Sequence, residues 1–404
     1  MSLDLNMTAL QVDDMARHLR ARTADRTSRL QRAREAVEAF DPGEQEAKRL
    51  RSVATLAWNV PSVDQSPGAR RPQPVVPDDF CVVGVDGSHI DVDRNIAAQC
   101  YLINIGAAVL TYGSGADARL FSAPRLYADD DDLAIRDRHD PFHWQPIEGT
   151  VLGAKRTVEE IRALVGAVKE LPNGLPALAL VDGSLLLIGL VGRGSNDFVA
   201  RELIEEGLVP ALEELRTMAR TRPLVLAAYI SLPRSSELVS ALRLKLCPFE
   251  VADCRGHCGE VAYGERPCDA GALGLMDRDL YGEILAPGER SAVFAGSSSL
   301  VADYYQGHGL HFFYVNGGDE IARIEVPSWV ADDEASLELA HALIVDQCRR
   351  GLGYPTALME AHEQAVVTGS DREYFVRLVE DALSAERVSV YSSRKSMSKR
   401  LRWL

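Results

Sequence analysis

Two stretches of this chain, VVGVDGSHI at 82–90 and LALVDGSLL at 178–186, run through consecutive strand formers and end in Asp-Gly-Ser. Apolar runs of that length, bounded by turn residues, read as strands buried in a sheet, and a buried sheet needs helices over both faces. The pair reads as two strands of the central sheet of an α/β protein. It also sets a carboxylate, a glycine and a hydroxyl at the ends of two separate strands.

The order of the neighbouring segments narrows the choice. After FCVVGVDGS, the segments NIAAQCYLINIGAAVLTYG and ARLFSAPRLYA read as two further strands joined by a Gly-Ser-Gly turn. An acidic loop, ADDDDLAIRDRHD, leads to the helical pattern AKRTVEEIRALVGAVKEL. Strand PALALVDGS, helix NDFVARELIEEGLVPALEELRTMA and strand PLVLAAYIS follow. Three strands in meander and then alternating helix and strand is the order of the ribonuclease H-like fold, a mixed sheet flanked by helices, an order that other α/β folds can share. Around it stand an N-terminal helical extension over 1–57, a Pro-rich linker over 58–79 and helices toward the C-terminus. The main domain is expected over 80–384, with a Cys-rich insert at 247–270 and a basic tail at 385–404.

A carboxylate at the end of a buried strand is held at the rim of the sheet, where α/β folds bind ligands. The glycine after it lets backbone approach closely. Asp86 and Asp182 on neighbouring strands would repel each other unless a cation sat between them, and oxygen donors suit Mg²⁺ or Mn²⁺. Two such ions roughly 3.5–4 Å apart activate water and stabilise a leaving oxygen in phosphodiester hydrolysis. The competing reading is that Asp-Gly-Ser is turn chemistry alone. A third acid is expected from the intervening helix. With Val158, Ile161, Leu164, Val165, Val168 and Leu171 defining its buried face, Glu160 lies at the border of that face and Glu159 nearly opposite it. Glu160 is the expected member and Glu159 the alternative.

From residue 80 to 380 the chain resembles the NurA nuclease family. The resemblance is carried in order by VVGVDGSHI, LALVDGSLL, AAYISLPRSSELVSALRL, DRDLYGEIL, GERSAVF, EIARIEVPSWVA and GYPTALMEAHEQAV. It implies a ribonuclease H-like core and a Mn²⁺-dependent (or Mg²⁺-dependent) deoxyribonuclease. It also implies a homodimer that works with HerA, a hexameric DNA translocase, in DNA end processing, repair or defence. Asp86, Glu160 and Asp182 match its acids, and Tyr354 and His362 its late motif. His362 is then a metal ligand or general acid/base, and Tyr354 orients a phosphate or water. Ser88, Ser184, Arg234 and Arg290 are the expected DNA contacts, although Leu232 stands where the family often has a basic residue and GERS at 288–291 could equally be a helix cap with an internal ion pair.

Two other functions stay open. An actin-like ATP-binding phosphotransferase uses similar strand-end loops but duplicates its core, whereas Asp182 follows a single strand and leads into helix. A NurA-like subunit could also be catalytically silent and regulate its translocase. A formal charge of −15 argues against a protein that coats nucleic acid over its whole surface. It leaves room for local basic tracts, such as Arg20 to Arg34 and the tail residues Arg394, Lys395, Lys399, Arg400 and Arg402. No run approaches the roughly 18 apolar residues of a membrane span, and the N-terminus lacks a secretory pattern, so a cytoplasmic protein is expected. Cys247, Cys254, Cys258 and Cys268, with His257 among them, raise the expectation of a structural Zn²⁺ site, against free thiols as the alternative.

Overall fold

A computed structural model describes residues 4–58, 60–91, 98–140, 142–190, 196–296 and 298–387. The basic tail from Arg394 to Arg402 lies outside them. The chain forms two compact units, each assembled from segments distant in sequence. One comprises Met1–Gln73, Ser231–Ser298 and His311–Ile324, the other Pro74–Ile230, Ser299–Leu310 and Glu325–Leu404.

The second unit is built on five strands: β1 (Phe80–Ile90), β2 (Tyr101–Tyr112), β3 (Asp117–Tyr127), β4 (Ala177–Asp182) and β5 (Leu224–Ile230). Their order in the sheet is β3-β2-β1-β4-β5. The meander pairs antiparallel, whereas β1–β4 and β4–β5 are parallel. This is the ribonuclease H-like arrangement expected from the element order. One face is covered by α1 (Thr150–Lys169), whose Val158, Ile161, Leu164 and Val165 share a cluster with Val83, Val85 and Val181. Helices α2 (Val209–Ala219), α3 (Glu334–Arg350), α4 (Thr356–Ala365) and α5 (Gly369–Ala385) complete the unit.

One local expectation is corrected. The acidic loop folds into one helical turn, Asp130–Leu133, and a small hairpin of Ala134–Arg136 with Trp144–Pro146, because Ile135 and Ile147 are drawn into the core. The helix expected through 196–219 is present from Asp197 to Ala219, with a π-helical stretch, Arg201–Leu208, between Asp197–Ala200 and α2. Pro210 has no N–H to continue the ordinary ladder there.

In the first unit, helix Leu5–Glu38 is N-capped by Asp4, and its last turns bring Ala33, Ala36 and Val37 into a core with Leu242, Tyr281, Phe312 and Tyr314. Asp277 is buried at the start of helix Glu237–Leu246, accepting hydrogen bonds from the Val239 N–H at 2.9 Å and the Tyr314 hydroxyl at 2.7 Å. All four cysteines of the insert are free. Cys268 is buried and its thiol is pushed up by that burial, with Cys247 and Cys258 adding to it. His257 stacks on Phe249 with ring centroids 3.9 Å apart. Among the described residues no three His, Cys, Asp or Glu side chains converge on a metal-holding point, so the zinc expectation gains no support. No described helix is long and apolar enough to cross a membrane.

Candidate active site

The strand pairing brings the two Asp-Gly-Ser motifs together. Val85 is in register with Val181 on parallel neighbours, so Asp86 and Asp182 are the next residues of β1 and β4. Alternation along each strand turns both away from the α1 face, which takes Val85 and Val181. Across β1, Asp86 stands opposite Gly106 of β2. A Cβ at Gly106 would lie 2.1 Å from the Ala361 carbonyl oxygen, so glycine there is what lets α4 lie directly on the sheet. That close packing delivers His362. Its Nδ1 lies 2.7 Å from Asp86 Oδ2, and the Gly87 N–H donates to Asp86 Oδ1 at 2.7 Å. The His362 side chain keeps 56% of its exposure. With Nδ1–H donated to the carboxylate, Nε2 is left able to accept a proton.

Glu160 arrives from the other side of the sheet. It is 2% exposed and lies under Gly87, where a Cβ would fall 2.5 Å from its Oε1. The glycine of the first motif is thus required by the helix acid. Arg156 Nε comes within 3.0 Å of Glu160 Oε1, one turn earlier on α1, but neither atom completes a hydrogen bond. Burial pushes the Glu160 carboxyl up to about 8, the charges of Asp86 and Asp182 add to the rise, and Arg156 opposes it. Asp182 is also raised, by burial first and by Asp86 next, against a hydrogen bond from Tyr354. Tyr354 packs edge-on against Tyr229, the register neighbour of Asp182 on β5. Glu159 does not project freely into solvent as its place on the helical wheel suggests. It pairs with Arg162 at 2.9 Å and keeps 16% side-chain exposure.

Asp86, Glu160, Asp182, Tyr354 and His362 therefore belong to one rim of one sheet. The three acids feel one another's charge, and a buried oxygen of Glu160 lacks a hydrogen-bond partner. That is donor chemistry suited to a hard cation, which would relieve the repulsion and satisfy the oxygen. As they stand, the acids are not gathered into a three-ligand set.

The expected DNA contacts are placed differently. The Ser88 hydroxyl donates to the Ala365 carbonyl and the Ser184 hydroxyl to Glu325, both inside the fold. Arg290 is buried in strand Arg290–Ser291 and donates to the Ser291 carbonyl at 3.0 Å, so GERS is neither an open phosphate site nor a helix cap. Arg234 is exposed. Leu232 is exposed too, with a left-handed φ of 44°.

Glu325 was not singled out from the sequence. It is 3% exposed and accepts from Ser184 Oγ at 2.7 Å and from the Leu185 N–H at 3.1 Å, fixing the turn that follows Asp182. The available signal was an acid inside the apolar run IARIEVP. Glu325→Ala is expected to cost about 2–4 kcal/mol in a denaturant melt, because two buried donors lose their acceptor. Glu325→Gln, which keeps an acceptor oxygen, should recover most of it, and equal losses in both variants would count against this role. Gly87→Ala should cost about 1–3 kcal/mol by forcing a Cβ against buried Glu160. An unchanged melting curve would show that Glu160 moves aside freely.

Residues 81–367 match the NurA domain. The chain belongs to the NurA family. NurA solved structures similar to it include one described as the crystal structure of NurA, 14% identical, covering 77% of this chain and 90% of that one with a TM-score of 0.37. Another, described as NurA with manganese, is 13% identical and covers 78% of this chain and 90% of that one with a TM-score of 0.34. The comparison with curated proteins gave no match. As a NurA protein the chain is of a nuclease family, and its matched region holds the five site residues.

Proposed function

We propose that the protein is a divalent-cation-dependent deoxyribonuclease that hydrolyses phosphodiester bonds at the rim formed by Asp86, Glu160 and Asp182. The observation that carries this reading is the adjacency of Asp86 and Asp182 on parallel strands, with Glu160 buried beneath Gly87, the residue after Asp86, and NurA membership behind all three. Mn²⁺, or Mg²⁺ in its place, is the cation that the family resemblance and the oxygen donors favour. When bound, it would supply Lewis-acid polarisation of the phosphate and a water of lowered pKa. Asp86, Asp182 and Glu160 would hold it. His362, braced by Asp86, would accept or return a proton at Nε2, and Tyr354 would keep Asp182 oriented.

The assembly belongs to the same reading. The family resemblance favours a homodimer acting with a HerA-type hexameric translocase, and an acidic chain would hold a polyanion better when two copies share a channel. The test is cleavage of labelled single- and double-stranded DNA with Mn²⁺, Mg²⁺ or chelator, with and without the translocase. Cleavage that needs the cation and rises with the translocase is expected. Protein silent under all these conditions would refute the nuclease reading and favour the regulatory one.

A further inference from the structure

The carboxylate rim repels DNA, and the hydroxyls expected to meet the backbone are occupied within the fold. Cations beside the rim must therefore hold the strand. Two arginines meet this requirement, and both lie near the end of β1. Along β1, His89 follows Gly87 on the same face, where the Arg156 Cγ lies 3.0 Å from the position of a Gly87 Cβ. From α5, Arg372 donates to the His89 carbonyl at 2.9 Å. Burial first of all pushes the His89 ring down, Asp91 at 3.7 Å from Nε2 opposes it, and the charges of Arg156 and Arg372 add to the fall. Among the described residues Arg372 has no carboxylate partner, and it is exposed. Arg156 turns Nε toward Glu160, while its terminal nitrogens have no protein partner among the described residues and reach solvent.

We infer that Arg156 and Arg372 form a clamp for the phosphodiester backbone of the bound strand, next to the carboxylates. The inference rests on the nuclease reading above and names the side chains that hold its substrate. Two guanidinium forks suit phosphate because each can donate two parallel N–H bonds to its oxygens. Arg156 lies against Glu160 and Arg372 at the backbone of His89, just beyond Asp86 and Gly87 on β1, which sets the clamp at the carboxylate rim. Arg156 has a second effect there, since its charge offsets that of Glu160 while its outer nitrogens face the strand.

The experiment is fluorescence anisotropy of a labelled single-stranded oligonucleotide with the full-length protein in chelator, so that binding is read without cleavage, across a salt titration. Arg372→Gln is expected to weaken binding roughly 5-fold and to reduce the salt slope by about 0.7, the counterion release of one phosphate contact. Arg372→Lys should restore the slope and only part of the affinity, because charge returns without the fork. Arg156→Gln should act in the same direction, with circular dichroism confirming the fold. Arg372 is exposed, so its variants report even if the Arg156 variant is unstable. Wild-type affinity and slope in the Arg372→Gln protein, or a wild-type protein that does not bind the oligonucleotide, would overturn the clamp. Wild-type protein that binds through these arginines but cleaves no DNA would overturn the nuclease reading and leave the clamp standing.

Discussion

Asp86→Asn and Asp182→Asn proteins are expected to cleave DNA on the order of 10³-fold more slowly than the wild type while binding it at least as tightly. The size follows from losing one charged ligand to a cation that contributes several kcal/mol of transition-state stabilisation. Binding should hold or improve, because each substitution removes a negative charge from a rim that faces phosphate. The fold should survive. An asparagine at 86 can still accept from the Gly87 N–H, and one at 182 can still accept from Tyr354. Gel-resolved cleavage with saturating Mn²⁺, paired with binding in chelator, separates the two effects. Near-normal turnover in either variant would remove that residue from the chemistry.

The second large effect is on stability against pH in the metal-free protein. The Glu160 carboxyl has an ordinary value of 4.5 and is pushed up to about 8 in the fold, and Asp182 is raised as well. The folded state therefore prefers the protonated acids. Their contribution is fully present below the unfolded value and is lost as pH rises through the folded one. For Glu160 the window runs from about 4.5 to about 8, and the loss is on the order of 5 kcal/mol. In chelator the melting temperature should fall by roughly 10 °C between about pH 5 and pH 9. Glu160→Gln should flatten that fall, because a neutral amide does not ionise. Mn²⁺ should restore stability at the alkaline end, since a bound cation favours the ionised acids. A wild-type profile in chelator that does not fall with pH would contradict the buried, mutually repelling acids.

The sequence by itself determined the sheet and its order. The apolar runs before Asp86 and Asp182 left no choice but buried strands, and the succession of three strands, helix, strand, helix, strand is what the structure contains. It also singled out Glu160 over Glu159, because apolar spacing on a helix fixes which side chains can reach the sheet. Tertiary structure alone decided what those residues touch. Nothing in a one-dimensional pattern says that Gly87 leaves room for Glu160, that Gly106 lets α4 bring His362 to Asp86, or that Glu325 takes the Ser184 hydroxyl. The same holds for the cations. Arg290 lies in GERS and is buried, whereas Arg156 and Arg372, 216 positions apart by number, both reach the end of β1, one beside Gly87 and the other at the His89 carbonyl. Periodicity reports which face a residue is on. Partners come from segments that are distant in the chain, and only the packing of helices on the sheet brings those segments together.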